Sequence, residues 1–171
     1  MIPFCLIVGD STGLGAADAL TAQGLRCEVH ARVGAPSAEP LQQLRGSSPA
    51  AVALIALGSN DPGNPALARN LLAVRRRVSA ARVTWLAPYD PGAARIVVAL
   101  ARSLGDDVLP LSAYASRDRL HPASYRQVAT SLGWTGTGFA RSVPIGAVTF
   151  ARPAAKDRRA AQVRQAVVLS F

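Results

Sequence analysis

Four short blocks of glycines and polar residues are spread along the chain, and their residue types are those that acyl transfer requires. In chain order the blocks are Gly9-Asp10-Ser11, Gly34, Gly58-Ser59-Asn60-Asp61 and Asp118-Arg119-Leu120-His121. The first offers a hydroxyl nucleophile, and the last offers a base with a carboxylate. The middle blocks offer hydrogen-bond donors for an oxyanion. Together they supply the groups needed to cleave an ester through an acyl-enzyme.

The serine of the first block needs partners before it can act as a nucleophile. Ser11 lies in a glycine-flanked turn after an apolar run, where a serine often does no more than cap a helix. A hydroxyl becomes nucleophilic when an adjacent base takes its proton. His121 suits that role because imidazoles titrate near neutral pH, and Asp118 could fold back to orient the ring. We therefore expect Ser11, His121 and Asp118 to be catalytic.

The blocks, in this order, resemble the SGNH branch of the GDSL-type hydrolases, whose last block is Asp-x-x-His. The resemblance extends over about residues 4–132. It implies a flavodoxin-like fold, serine esterase or acyl hydrolase activity, and no cofactor or metal. It also implies an oxyanion hole formed by the backbone N–H groups of Ser11 and Gly34 and the amide of Asn60. Asp10 belongs to the motif without a clear catalytic role, and Asp61 is expected to be structural, holding either its loop or a helix terminus.

The glycines of the first turn also match two other patterns. Gly9-x-Ser11-x-Gly13 fits the nucleophile elbow of α/β-hydrolases, but only one strand precedes it here. With Gly15, the turn resembles the glycine-rich turn of short-chain dehydrogenases. That family has a tyrosine four residues before a lysine, whereas Lys156, the sole lysine, has an arginine there. A dinucleotide-binding domain and an inactive SGNH-like interaction domain remain the alternatives.

Apolar runs alternate with helix-like segments along most of the chain. The predicted strands are 4–8, 27–33, 51–57, 82–87 and 108–111, and the predicted helices are 14–23, 38–44, 65–80, 93–104 and 122–132. Continuous apolar strands separated by helices indicate a parallel sheet covered on both faces. We expect an α/β fold in three layers, doubly wound around roughly five parallel strands. All four blocks should then lie at the carboxyl edge of the sheet, where such folds bind ligands.

The last part of the chain fits this alternation less well. We place a hydrolase domain at 1–133 and a C-terminal extension at 134–171, for which packing on the same domain, association and partial mobility are the alternatives. Within the extension, 143–150 could form a strand and 156–168 a basic helix. Pro65 and Pro122 are expected in first helical turns, and Gly24, Gly46 and Gly105 are expected to end helices.

Composition bounds the remaining possibilities. The chain has 171 residues, half of them hydrophobic, and a formal net charge of +9, so it can bury a core and is not a disordered chain. No apolar run reaches the length of a membrane span. The codon bias of a GC-rich genome is the simpler explanation of the charge, which would also suit an anionic glycan or cell-wall polymer. A compact domain with no obvious lid favours small acyl groups, such as acetyl esters on carbohydrate. A nucleic-acid partner is disfavoured, because no aromatic residues interleave with the arginines at 75–77.

No signal peptide is visible, so the default expectation is a cytoplasmic protein, with action on a cell wall after release left open. The sequence leaves the oligomeric state undetermined. Cys5 and Cys27, the only cysteines, are expected to be buried free thiols rather than a disulfide. Neither histidine has a Cys/His cluster nearby, which disfavours a zinc site. His30 shares a strand face with Glu28, and we expect it to be a surface or helix-packed side chain rather than the base.

Overall fold

One parallel sheet organises the protein. The computed structural model describes residues 4–44, 49–135 and 138–139. Its five strands are β1 (Cys5–Gly9), β2 (Glu28–Ala31), β3 (Ala50–Ala56), β4 (Ala80–Ala87) and β5 (Asp107–Pro110). They lie in the order β2-β1-β3-β4-β5, and every neighbouring pair is parallel. This order is flavodoxin-like and differs from the 3-2-1-4-5-6 order of dinucleotide-binding folds. The predicted α/β fold class is confirmed.

Helices cover both faces of the sheet. They are α1 (Ser11–Ala22), α2 (Pro40–Gln43), α3 (Leu67–Arg77), α4 (Pro91–Leu104) and α5 (Tyr125–Leu132). A short antiparallel pair, β6 (Trp134–Thr135) and β7 (Gly138–Phe139), follows α5. The strand and helix predicted at 143–150 and 156–168 lie outside the described residues. Within the described ranges no helix is both long and apolar enough to cross a bilayer.

The sheet separates two hydrophobic cores, and alternate side chains of β1 point into one core or the other. Leu6 and Val8 belong to a core that includes apolar residues of α3 and α4. Cys5 and Ile7 point to the other face, where apolar residues of α1 and α5 pack. Every residue of β1 is buried, which explains its continuous apolar run. The site residues must therefore lie at the strand ends, because both faces are covered.

Two predicted helix starts were wrong. Helices α3 and α5 begin later than Pro65 and Pro122. The side chain of Asn64 accepts a hydrogen bond from the backbone N–H of Ala66 at 2.9 Å, so the chain turns there before it becomes helical. Pro122 instead forms an antiparallel bridge with Ser116. Because of these side-chain and bridge contacts, both helices begin two or three residues after the prolines.

Two of the three predicted helix ends, at Gly24 and Gly105, are confirmed. Gly105 ends α4 with φ of 72°, and Gly24 follows α1 with φ of 86°. Both values are in the left-handed region that glycine adopts without strain. Gly46 lies outside the described residues.

Cys5 and Cys27 form a disulfide, so the prediction of free thiols was wrong. Leu6 on β1 pairs with Glu28 on the neighbouring parallel strand. The two cysteines precede these partners, and their Cα atoms are 4.6 Å apart, within the range that a disulfide spans. The bond ties the beginnings of β1 and β2, at the edge of the sheet opposite Ser11.

Candidate functional site

Ser11 lies at the beginning of α1, directly beyond the carboxyl end of β1. The cap of this helix is Asp10, whose Oδ1 accepts hydrogen bonds from the backbone N–H of Thr12 at 2.8 Å and from its hydroxyl at 2.7 Å. The capping role considered for Ser11 therefore belongs to Asp10. The half-buried Ser11 keeps its hydroxyl for another contact.

That contact is with His121. Ser11 Oγ lies 2.9 Å from His121 Nε2, and His121 Nδ1 lies 2.7 Å from Asp118 Oδ2. An ionised carboxylate can only accept a hydrogen bond, so in the neutral ring Nδ1 carries the proton. Nε2 is then left as the acceptor for the Ser11 hydroxyl. The structure thus brings together the three residues predicted from the first and last blocks.

Asp118 is held in its ionised form by several donors. Its Oδ1 accepts hydrogen bonds from the backbone N–H groups of His121 at 2.8 Å and Leu120 at 2.9 Å, and from the Ser116 hydroxyl at 3.1 Å. The backbone and then the side chain of His121 hold the pKa of the Asp118 carboxyl well below its usual range. The group that orients the imidazole therefore stays charged throughout the neutral range.

Ser116 closes the loop that carries Asp118 and His121. Its Oγ lies 2.7 Å from the backbone carbonyl of His121 and accepts a hydrogen bond from the Arg119 N–H at 2.9 Å. Arg119 has φ of 56°, a conformation that costs a non-glycine residue energy unless its surroundings hold it. Ser116 was not among the residues predicted from the sequence. Its position two residues before Asp118 was the available signal.

Tyrosines pack beside this loop. Tyr125 lies against Gly15 of α1, and the Tyr89 hydroxyl donates to the backbone carbonyl of Tyr114 at 3.1 Å. Burial raises the pKa of both Tyr125 and Tyr89. The buried hydroxyls of Tyr114 and Tyr125 have no hydrogen-bond partner within the described residues. Tyr89 and Tyr114 follow β4 and β5 without a motif of their own, so no sequence pattern identifies them.

Asp10 is buried behind Ser11. Burial raises the pKa of its carboxyl, although the hydrogen bonds from Thr12 oppose that shift. Its Oδ2 meets no donor in hydrogen-bond geometry among the described residues, while nearby Ser59 still favours the charged form. No hydrogen bond in the described ranges joins Asp10 to His121. Its observed role is to cap the helix.

The loops after β2 and β3 bring Asn60 to the neighbourhood of Gly34. The Asn60 side chain donates to the backbone carbonyl of Ala35 at 3.2 Å, and Gly34 has φ of 73°. Within the described ranges, the backbone N–H groups of Ser11 and Gly34 have no hydrogen-bond acceptor. Gly34 and Asn60 follow β2 and β3 as Ser11 follows β1, at the same edge of the sheet. No described contact joins either residue to Ser11.

Asp61 holds its loop, as predicted. Its carboxylate accepts from the backbone N–H of Ser37 at 3.1 Å, from the Ser37 hydroxyl at 2.6 Å and from the Asn64 amide at 2.8 Å. Ser37 is completely buried. Ser37 has no motif around it and was not among the residues predicted from the sequence.

The second histidine lies elsewhere. His30 Nε2 contacts Glu28 Oε1 at 2.7 Å on β2, an edge strand. It is a half-buried side chain that pairs with a carboxylate and makes no hydrogen bond to Ser11. The described residues also contain no group of three or more His, Cys, Asp or Glu side chains that could hold a metal ion.

Comparisons with known proteins support the fold but do not identify a family. No family model matches the chain, and no curated protein matches it. Among solved structures it is similar to LAE5, an alpha/beta hydrolase enzyme from the metagenome of Lake Arreo, with 16% identity and a TM-score of 0.52 over 75% of this chain and 93% of that one. It is also similar to the C-terminal catalytic domain of Streptococcus pneumoniae peptidoglycan O-acetyltransferase A, with 16% identity and a TM-score of 0.48 over 75% and 87% of the two chains. The first likeness shows a shared fold.

Proposed function

We propose that this protein is a serine esterase of the SGNH type that hydrolyses small acyl esters through an acyl-enzyme. The observation that carries the proposal is the chain of hydrogen bonds from Ser11 Oγ through His121 to Asp118, at 2.9 and 2.7 Å. A hydroxyl, an imidazole and a carboxylate joined in this order are the groups that activate a serine. Asp10 caps the helix, which leaves Ser11 available for chemistry.

Acylation begins when Ser11 Oγ attacks the ester carbonyl carbon. His121 Nε2 takes the hydroxyl proton as the new C–O bond forms, and the carbonyl oxygen becomes an oxyanion. Asp118, kept ionised by its backbone donors, stabilises the imidazolium. The intermediate then collapses, the C–O bond to the leaving alcohol breaks, and His121 returns the proton to that alcohol. The acyl group remains on Ser11.

Deacylation repeats these steps with water. His121 Nε2 removes a proton from the water that attacks the acyl carbon. Collapse of the second oxyanion breaks the bond to Ser11 Oγ, which recovers its proton from His121. The carboxylic acid leaves and the enzyme is regenerated, with no net change in its protonation.

The oxyanion is assigned to three donors at the carboxyl edge of the sheet. The backbone N–H groups of Ser11 and Gly34 have no acceptor among the described residues. The Asn60 amide donates one N–H to Ala35, which leaves its second N–H for substrate. Donors already fixed in place stabilise the developing charge without reorganising during the reaction.

Small acyl esters, for example acetyl groups on carbohydrate or a cell-wall polymer, are the proposed substrates. The net charge of +9 favours an anionic polymer. Arg117 and Arg119, which flank Asp118, are exposed. The disulfide between Cys5 and Cys27 supports action in an oxidising compartment, because such bonds are rare in the cytosol.

A dinucleotide-binding domain is the alternative that the glycines suggested. Packing accounts for two of them: a Cβ at Gly9 would lie 2.5 Å from the Ala56 carbonyl oxygen, and one at Gly15 would overlap the Tyr125 ring. The flavodoxin-like strand order also differs from that of the dinucleotide-binding folds. An inactive interaction domain would keep the fold, but it would not need a serine activated by histidine.

Covalent labelling by a fluorophosphonate tests the proposal. The parent protein should be labelled on Ser11 and should hydrolyse a short-chain aryl ester. Ser11→Ala should lose both properties while its thermal stability is kept. Ser103→Ala is the matched control, because Ser103 is exposed and bonds only to the backbone of its own helix. Cofactor binding without labelling would favour the dinucleotide-binding alternative. The absence of both labelling and cofactor binding would favour the inactive domain.

A further inference from the structure

A polar network joins the loop after β2 to the loop after β3. The first loop carries Gly34 and the second carries Asn60, so the network connects the two loops assigned to the oxyanion. Its members are Ser37 from the first loop, Asp61 and Asn64 from the second, and Asn70 from helix α3. The contact between Asn60 and Ala35 is a second link between the same loops.

Ser37 is the centre of this network. Its backbone N–H and hydroxyl both donate to the Asp61 carboxylate, at 3.1 and 2.6 Å. Its Oγ in turn accepts a hydrogen bond from the Asn70 amide at 3.0 Å. The residue has no solvent exposure. Water therefore cannot replace these partners, and the cost of losing one is the cost of an unsatisfied buried polar group.

Asp61 fixes the other side of the network. Its two carboxylate oxygens receive the donors from Ser37 and the amide of Asn64. A carboxylate that accepts several hydrogen bonds at once has little freedom to rotate, and the bonds to a charged acceptor are stronger than neutral ones. The backbone on both sides of Asp61, including that of Asn60, is held accordingly.

We propose that Ser37 and Asp61 are positioning residues that set the distance between the Gly34 and Asn60 donors. This inference rests on the proposed esterase function. Asn60 immediately precedes Asp61, and Gly34 precedes Ser37 by three residues. A hydrogen bond between Ser37 and Asp61 thus fixes the relative position of the two loops close to both donors. Misplacing such a donor by about 1 Å can cost about 100-fold in rate.

Kinetics of Ser37→Ala and Asp61→Asn on a short-chain aryl ester test this role. Each variant should lower kcat by about tenfold or more, with a much smaller change in KM, because an oxyanion donor acts mainly in the transition state. Each is then combined with Asn60→Ala. In that background the loss from Asp61→Asn should shrink to about threefold or less, since Asp61 acts largely through Asn60.

Glu39→Gln is the matched control. Glu39 follows Ser37 in the same loop, but its partner is the exposed Arg32, at 2.5 Å. Its loss should leave kcat near that of the parent, because exposed ion pairs contribute little. Thermal melting of every variant separates unfolding from displaced donors. If Asp61→Asn fails to fold, Ser37→Ala carries the test, since it keeps the backbone bond to Asp61.

Two results would overturn the inference in an active parent: an unchanged kcat in both single variants, or a loss from Asp61→Asn that multiplies fully with the loss from Asn60→Ala. A purely structural role would lower the melting temperature equally in both backgrounds and produce such multiplication. A parent that neither hydrolyses the ester nor reacts with the fluorophosphonate would overturn the proposed function, and this inference with it.

Discussion

The ring of Tyr125 lies directly against Gly15, so that helices α5 and α1 touch about one turn after Ser11. There is no room for a Cβ between them. Helix α1 begins with Ser11, and α5 begins shortly after His121. The contact therefore fixes the two elements whose ends carry the proposed nucleophile and base.

Replacing Gly15 with alanine should force these helices apart. Inserting a methyl group into a packed contact costs about 1–3 kcal/mol, which exceeds the gain of about 1 kcal/mol from alanine's helix propensity. Gly13→Ala is the control on the same helix, because its nearest neighbour would be at 3.4 Å, an ordinary contact. Urea denaturation should show Gly15→Ala destabilised and Gly13→Ala unchanged or stabilised. Equal stabilities for the two variants would contradict the contact.

The pH dependence of turnover should have a single acid limb. A protonated His121 cannot accept the Ser11 proton, so kcat/KM should fall by up to about tenfold per pH unit as the medium is acidified. Asp118 should add no second limb in this range. Its depressed pKa keeps the carboxylate charged until the pH falls far below neutrality. A second acid limb between pH 4 and 6 that persists in Asp10→Asn, which removes the nearby carboxyl whose pKa burial raises, would show that Asp118 is not held as described.

Replacing each histidine with alanine in turn tests which one is the base. His121→Ala should remove activity, whereas His30→Ala should keep both activity and the acid limb, because His30 contacts Glu28 on an edge strand. Steady-state rates measured across pH for both variants decide the assignment. An essential His30 with a dispensable His121 would show that the base is misassigned.

Asn60 should matter in the transition state more than in the bound substrate. Asn60→Ala should lower kcat by about 100- to 1000-fold with a modest change in KM, the effect of losing one oxyanion donor. Asn60→Asp should be worse, since a carboxylate would face the developing negative charge. Steady-state kinetics, with melting temperatures alongside, are the measurement. A kcat that is unchanged, or that falls only as the protein unfolds, would make Asn60 a turn residue.

Since the disulfide joins the only two cysteines of the chain, the oxidised protein should have no free thiol. Thiol titration under denaturing, non-reducing conditions should find none, and two should appear after reduction. Closing a loop between residues 22 apart contributes about 3 kcal/mol in the chain-entropy account, so a reductant should lower the melting temperature. Cys27→Ala is the control, since a reductant should no longer shift its melting temperature. Two reactive thiols in the oxidised protein would contradict the bond.

Much of the fold could be predicted from the sequence, since its main signals are local. The buried strands appear as apolar runs because both faces of the sheet are covered. The stop at Gly105 follows from a backbone conformation that glycine adopts freely. The starts of α3 and α5 could not be predicted, because the side chain of Asn64 and the bridge between Pro122 and Ser116 compete with the helices.

The sequence by itself determined the fold class and the residue types of the candidate site. Apolar periodicity sets which segments become strands and helices, and the four polar blocks follow from the sequence read alone. Only the tertiary structure decided which of these residues meet. The contact of Ser11 with His121 spans 110 residues. The disulfide between Cys5 and Cys27 joins the neighbouring strands β1 and β2, and the contact of Ser37 with Asp61 joins the loops after β2 and β3, the two strands that flank β1. Such contacts depend on strand order and register, which arise from packing the whole sheet and not from any local stretch of sequence.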